Sequence, residues 1–530
     1  MTQKKVFRVP FRIPMRDGVT LAADRYTLDP SRTTPQPVVL QRTCYDRNWP
    51  SYVDAATALA REGYAAVVVE TRGRNDSEGE WRAHASEAVD GYDTIEWLAA
   101  QPFSDGRVGT LGGSYSGWVQ LAAESTRPPS LATMIVTSSH LQLMQAYGRD
   151  RDFRMPRALT WLHQMSHRNM RPIDDVDWEE VLRRQPLEAA GDDLGEVAAL
   201  WREWMGDPAL RASDPVHTGA EVRIDVPTLH ISGWEDEPGQ TDVYTRAVAS
   251  GSPGQYLLVG PWDHPGTRNP QRVTRGRDHG DEAVVDMHAV YLAWFDRWLR
   301  GDGEAVGDDH RAAVFIGGRS QWAAYPQWPA AGEIVELRLG EDGGLSAERD
   351  LPLELVHDPA DPVAAHRTLE YSDIAAANSL LALDRHPHVL ALTGDVQEEP
   401  LLVSGVVEVE IEAEADGTRD WCVWLADVDE AGIPVRVSAN GSRIVHDGAR
   451  STATVALGPV AHEFAPGHRL RLYLGGSNFP IWDVLGWHDR ESGSAAPSAA
   501  LVHGVTARLA IDRAPLRVRP DQAPLGWTRS

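Results

Sequence analysis

The chain has 530 residues, 42% of them apolar and 24% charged, the make-up of an ordinary globular protein too long for one hydrophobic core. Its formal charge of −26 argues against nucleic acid or an anionic membrane as a partner, because like charges repel. Two cysteines, Cys44 and Cys422, exclude a disulfide framework and a four-thiolate metal site.

In chain order, residues 6–26 alternate apolar and polar around Arg16-Asp17-Gly18, which predicts a hairpin on a sheet edge. Residues 37–40 and 65–69 are short, apolar and β-branched, as strands buried on both faces are. Between them, 52–62 has helical spacing and stops at Gly63; a second helix is expected over 87–100. A strand at 108–111, a turn at 112–117 and a helix at 118–125 follow, then strands at 132–137, 228–232 and 256–259 and a helix at 285–299. Strands alternating with helices imply a doubly wound, mainly parallel sheet.

One segment breaks the alternation. Residues 143–220 carry helical stretches at 158–168, 178–184 and 194–204 and no strand signal. An insertion there lies over the carboxyl ends of the strands, where such sheets bind ligands, so it reads as a cap. Residues 301–309 have linker composition. From 312 onward short strands are expected at 333–339, 402–413, 420–427, 451–457 and 469–475, an antiparallel β-sandwich. The expected layout is an α/β core in two parts, 1–142 and 223–305, interrupted by a helical cap at 143–222 and followed by a β domain at 312–530.

Chemistry concentrates at Gly112-Gly113-Ser114-Tyr115-Ser116-Gly117, set between a strand and a helix. A nucleophilic serine has to be raised from the sheet on a tight turn, with small neighbours that let strand and helix close in. The usual pentapeptide has glycine two residues after the serine; here that place is Ser116, and glycine comes at Gly117. A serine needs a base, and the base an acid that fixes its tautomer, following in the order Asp/Glu then His. His264 ends the run Gly260-Pro261-Trp262-Asp263-His264 after a strand and is the expected base. For the acid, Asp236 in Gly233-Trp234-Glu235-Asp236-Glu237 competes with Glu235, Glu237 and Asp242, which spacing does not separate. One oxyanion donor is expected from the backbone of Tyr115, the other from the loop 41–46, where the Tyr45 phenol is a candidate and ordinary loop packing the rival. The run 71–79 reads as a brace beside the nucleophile turn. The cap tryptophans Trp161, Trp178, Trp201 and Trp204 read first as packing, with one or two lining an acyl pocket.

With these residues in place the chain resembles the α/β-hydrolase family of cocaine esterases, α-amino-acid ester hydrolases and X-Pro dipeptidyl-peptidases. The resemblance runs nearly end to end, from Met15-Arg16-Asp17-Gly18-Val19-Thr20-Leu21, through Asp90-Gly91-Tyr92-Asp93-Thr94-Ile95-Glu96-Trp97-Leu98 and Gly113-Ser114-Tyr115-Ser116-Gly117, to Ser477-Asn478-Phe479-Pro480. It implies a serine hydrolase in which the Gly-Trp-x-Asp turn selects Asp236, Gly-Pro-Trp-x-His selects His264 and the loop tyrosine selects Tyr45, and it makes the β domain a jelly roll. Glu70, where the family commonly has Asp, and Asn75, in a loop that usually carries glycine, depart from the pattern outside the triad.

The expected substrate is a small ester, amide or short peptide, cleaved without metal or cofactor. The rivals are an X-Pro dipeptidyl-peptidase, an amino-ester hydrolase, a class that holds the substrate ammonium with a carboxylate cluster to which the acidic neighbours Glu235 and Glu237 do not align, and a carbohydrate-binding protein on an inactive scaffold. An amino terminus without the apolar core of a signal peptide sets the expectation of a cytoplasmic protein with no membrane partner; self-association as a homo-oligomer is left open.

Overall fold

The computed structural model describes residues 4–31, 34–139, 155–182, 189, 191–206, 222–236, 239–302, 310–330, 332–342, 344–347, 350–363, 380–479, 484, 497–513 and 516–517. The first strands are β1 (Phe7–Pro14), β2 (Thr20–Thr27), β3 (Gln36–Thr43), β4 (Ala65–Glu70), β5 (Ser104–Gly113), β6 (Leu131–Thr137), β7 (Thr228–Gly233) and β8 (Gln255–Gly260). They lie in the order β1-β2-β4-β3-β5-β6-β7-β8, with β1 and β2 an antiparallel edge hairpin and β4 through β8 parallel. Every residue of β4, Ala-Ala-Val-Val-Val-Glu, is buried, as a strand covered on both faces requires.

Helices α1 (Pro50–Arg61), α2 (Glu87–Ala99) and α3 (Tyr115–Glu124) make the crossovers of the first half. Proline opens α1, where its missing N–H is not needed. The helix ends on Gly63 at φ 88°, with Gly63 N–H donating to Ala60 O and Tyr64 N–H to Leu59 O, a Schellman closure. The chain moves from β3 to β4 in one direction and from β4 to β5 and β5 to β6 in the other. Right-handed crossovers therefore put α1 on one face and α2 and α3, which pack together, on the other.

The cap contributes α4 (Met155–Met165), α5 (Trp178–Leu182) and α6 (Glu196–Gly206), with α4 packed against both of the others. Leu159, Leu162, Val197 and Trp201 are fully buried among them. The expected helix ends at 183–184 and the side chain of Trp204 lie outside the described residues. The core resumes with β7, α7 (Gly239–Ala249) and β8; the short hairpin β9 (Val273–Thr274) and β10 (Arg277–Asp278) and α8 (Met287–Phe295) follow. Among the described residues no helix is long and apolar enough to cross a membrane, and no cluster of three or more His, Cys, Asp or Glu is arranged to hold a metal ion.

The first sheet does not stop where the linker composition suggests. β11 (Ala312–Ile316) runs parallel to β8, and β12 (Gln321–Tyr325) pairs antiparallel with β11. Both are buried apart from Gln321 at the start of β12, and beyond them Trp328 packs edge-on to Trp234, at 5.6 Å between ring centroids. The remaining strands are β13 (Glu333–Arg338), β14 (Leu345–Ser346), β15 (Leu353–His357), β16 (Leu390–Val396), β17 (Leu401–Val428), β18 (Pro434–Phe464), β19 (Arg469–Gly475), β20 (Ser498–Ile511) and β21 (Leu516–Arg517). β21 returns to the first sheet beside β12, and the others build the jelly roll.

The expected strands at 402–413 and 420–427 are one strand, β17, and 451–457 is part of the still longer β18. β17 pairs along its length with β18, while its first half also pairs with β20 and its second half with β19. One strand thereby serves both faces of the sandwich, bending at the irregularity between Glu414 and Asp416.

Candidate active site

Ser114 sits between the last residue of β5 and the first of α3 at φ 59°, ψ −130°, a left-handed conformation that a serine holds only when its surroundings fix it. Its N–H donates to Thr137 O on β6, and its carbonyl accepts from the N–H groups of Gly117 and Trp118. The glycines beside it are steric necessities. A Cβ on Gly112 would lie 2.5 Å from Ser116 O, and one on Gly117 would lie 2.8 Å from the Ser139 side chain. Ser116 fits where glycine is usual because its hydroxyl is tied down: it lies 3.0 Å from the hydroxyl of Tyr52 on α1, which also accepts from Thr43.

The Tyr115 N–H is at the first position of α3, where a helix has no acceptor of its own to offer. The Tyr115 phenol donates to the buried carboxylate of Glu87 and accepts the His84 N–H at 3.0 Å, so the residue is fixed at both ends. Burial pushes the Glu87 carboxyl above its ordinary range, against the pull of Tyr115 and Arg42.

His264 and Asp236 come together from the loops after β8 and β7: Nδ1 of the imidazole is 3.0 and 3.1 Å from the two carboxylate oxygens. The Asp236 side chain is only 3% exposed. A carboxylate so placed accepts the Nδ1 proton, which leaves Nε2 as the acceptor nitrogen. The other acids that the structure describes are engaged elsewhere. Asp242 bonds Arg246 one turn along α7, Glu235 bonds Arg436, and Glu237 lies outside the described residues.

The Tyr45 hydroxyl oxygen accepts Trp161 Nε1–H from α4 at 3.1 Å, and Ser114 is close enough to pull the phenol's pKa down slightly against the burial that raises it. Since the indole can only donate, the phenol proton is free to point at the serine. Burial raises the phenol's pKa well above its ordinary value, so the group stays a donor at any working pH. Two neighbours hold this loop. Arg47 sits among Asp24, Glu70 and Asp76, at 2.6, 2.6 and 2.7 Å. Asn75, left-handed at φ 42°, donates to Tyr45 O at 3.0 Å. The residues at which the chain departs from the family pattern, Glu70 and Asn75, thus bear on the Tyr45 loop. The run 71–79 is a brace, and it reaches further than the nucleophile turn. Arg74 donates to Cys44 O on one side and to Met165 O and His167 O of the cap on the other.

Beside Ser114 the side chains are aromatic. Trp161 stacks on Tyr115 at 5.6 Å and meets Trp81 edge-on at 5.7 Å, and His84 lies edge-on to Trp118 at 4.1 Å. Burial lowers the His84 pKa to about 3, so this ring adds no charge at neutral pH. The role of Trp161 toward Tyr45 escapes sequence reading, because nothing in helical spacing says where an indole N–H will point.

Comparison with known proteins agrees with this architecture. Residues 17–266 match the model of the X-Pro dipeptidyl-peptidase (S15 family), and residues 306–508 that of the X-Pro dipeptidyl-peptidase C-terminal non-catalytic domain. The chain is 25% identical over 523 residues to the cocaine esterase of Rhodococcus sp. (strain MB1 Bresler), covering 89% of this chain and 91% of that protein. Among solved structures, an aminopeptidase from a marine sediment Thaumarchaeota archaeon superposes with TM-score 0.82 at 22% identity, covering 96% of this chain and 97% of the other. An α-amino acid ester hydrolase superposes with TM-score 0.81 at 21% identity and the same coverage. At these identities the two structures speak for the fold.

Proposed function

The chain belongs to the X-Pro dipeptidyl-peptidase (S15) family and is a serine hydrolase of ester or amide bonds, and from that premise we propose that Ser114, His264 and Asp236 are its triad, Tyr45 and Tyr115 its oxyanion donors, and an ester with an uncharged, apolar acyl group its substrate. The observation that carries the reading is the His264–Asp236 imidazole–carboxylate pair on the loops after β8 and β7, with Ser114 held at positive φ on the strand-to-helix turn.

In this mechanism His264 Nε2 takes the Ser114 proton as Oγ attacks the carbonyl carbon, and Asp236 stabilises the imidazolium. The carbonyl oxygen, now negative, accepts one bond from the Tyr45 O–H and a second from the Tyr115 N–H. His264 then protonates the leaving group, and a water deprotonated by the same nitrogen frees the acyl group. Tyr45→Phe keeps the ring and loses the donor. It is expected to lower kcat about 100- to 1,000-fold with KM changed by less than about threefold, a split that steady-state kinetics on an aryl ester will read.

Charge at the site favours an ester over a peptide with a free amino terminus. Glu235, the acid next to Asp236, is neutralised by Arg436 and Arg275. A cation stands against the Gly113 side of the turn: Arg268 has no ion-pair partner among the described residues, and its Nη1 lies 2.4 Å from where a Gly113 Cβ would stand. A guanidinium there repels a substrate ammonium. A panel of a neutral aryl ester, an α-amino ester and an X-Pro anilide tests the choice. The neutral ester is expected to show the highest kcat/KM by at least about tenfold, and preference for the anilide would overturn the proposal. Two free, buried cysteines suit the reducing, cytoplasmic setting we assign to the protein.

A further inference from the structure

Glu235 lies on the acid loop, next to Asp236, yet its carboxylate runs to the other domain. It is buried, 8% exposed, and its Oε2 accepts from Arg436 Nη2 at 2.6 Å, with Arg275 Nη1 at 3.6 Å. The three residues come from three parts of the molecule. Glu235 follows β7. Arg275 sits at the tip of the β9–β10 hairpin, on the loop that begins with His264. Arg436 is on β18 of the jelly roll, opposite Ala426 of β17.

The geometry is held tightly. Arg275 is left-handed at φ 50°, a conformation that a side chain of this size adopts only where its contacts demand it. Glu235 N–H donates to Trp262 O, two residues before the base, so the acid and base loops also meet through the backbone. Burial alone would push the Glu235 carboxyl up, but Arg436 and Arg275 outweigh it and hold the group ionised. The surrounding charges are Arg277 and His279 from the hairpin, Asp236 and Asp263 beside it, and His462 with its partner Asp427 from the jelly roll, which feels Arg277. Burial keeps His279 neutral, with a pKa of about 4.

We propose that Glu235, Arg275 and Arg436 form a junction through which the jelly roll fixes the acid loop against the base loop, making Arg436 a positioning residue for the Asp236–His264 pair. The inference rests on the triad reading. An ion cluster that merely glued two domains together would matter for stability alone. This one touches the acid and base loops together and stands one residue from Asp236, so it also sets the field around the imidazole.

The two readings separate in the pH profile of kcat/KM. Arg436→Met leaves the Glu235 charge short of its main partner, which favours imidazolium and moves the acid limb to higher pH. Glu235→Gln leaves two guanidinium groups unopposed and moves the limb to lower pH. Each shift is expected to be about half a pH unit or more, and the double variant is expected to return near the wild type. In the single variants kcat is expected to fall about tenfold, with KM changed by less than about threefold. Arg436→Lys, which keeps the charge without the fork, tests the same position if Arg436→Met does not fold. Limbs that stay in place, or that move in one direction for both variants, overturn the junction. If Ser114→Ala is inert while the limbs stay fixed, only the junction has failed; if Ser114→Ala still turns over, the triad reading has failed first.

Discussion

Ser114→Ala is expected to lower kcat about 10⁵- to 10⁶-fold, the scale on which loss of a triad nucleophile is felt. The size of the effect follows from what the side chain does. Without Oγ no acyl-enzyme forms, and the remaining donors, Tyr45 and the Tyr115 N–H, can polarise a carbonyl only for direct attack by water. KM is expected to stay within a few-fold, because the aromatic wall of Trp81, Tyr115 and Trp161 is untouched. The tight turn should survive as well, since its hydrogen bonds to Thr137, Gly117 and Trp118 are all made by the Ser114 backbone. Intact mass after fluorophosphonate treatment reads the same point independently: one adduct on the wild type, none on the variant. Turnover in the variant above about 1% of wild type would place the nucleophile elsewhere.

Asp236→Asn is expected to lower kcat about 10⁴-fold at neutral pH. The amide is nearly isosteric, so the loop should keep its shape, but an NH₂ facing Nδ1 makes that nitrogen an acceptor and moves the ring proton to Nε2. The base then offers the serine a proton when it has to accept one. The variant also separates the two adjacent acids. Glu235→Gln is expected to lose only about a factor of ten in kcat; equal losses in the two variants would mean that the acid has been misassigned between them. Kinetics and fluorophosphonate labelling rates on both proteins, with circular dichroism to confirm folding, decide it.

The fold class was legible because the α/β core obeys local rules. Gly112-Gly113-Ser114 announces a turn that only small residues permit, and the all-buried β4 reads as a central strand from its β-branched run. Other features depend on partners far away in the chain. β11 and β12 look from composition like the opening of the β domain, yet Ala312 pairs with Leu257 and so joins the first sheet. The strands expected separately at 402–413 and 420–427 are one bent strand that runs on through Gly417 at φ 69°. At the site, spacing left Asp236 and Glu235 equivalent and the family resemblance selected Asp236; in three dimensions the two diverge, one to His264 and the other to Arg436. Trp161 is the extreme case. Its distance in sequence from Tyr45, 116 residues, makes the contact invisible to any local pattern.

That contact ties the core loop to the cap. The indole rides on the cap and the phenol on the core loop, so an excursion of α4 wide enough to admit a bulky ester pulls them apart and frees the phenol to rotate. The cap helix thus lends the core loop an indole N–H that no residue of the loop itself provides, and the phenol's orientation depends on how α4 is seated.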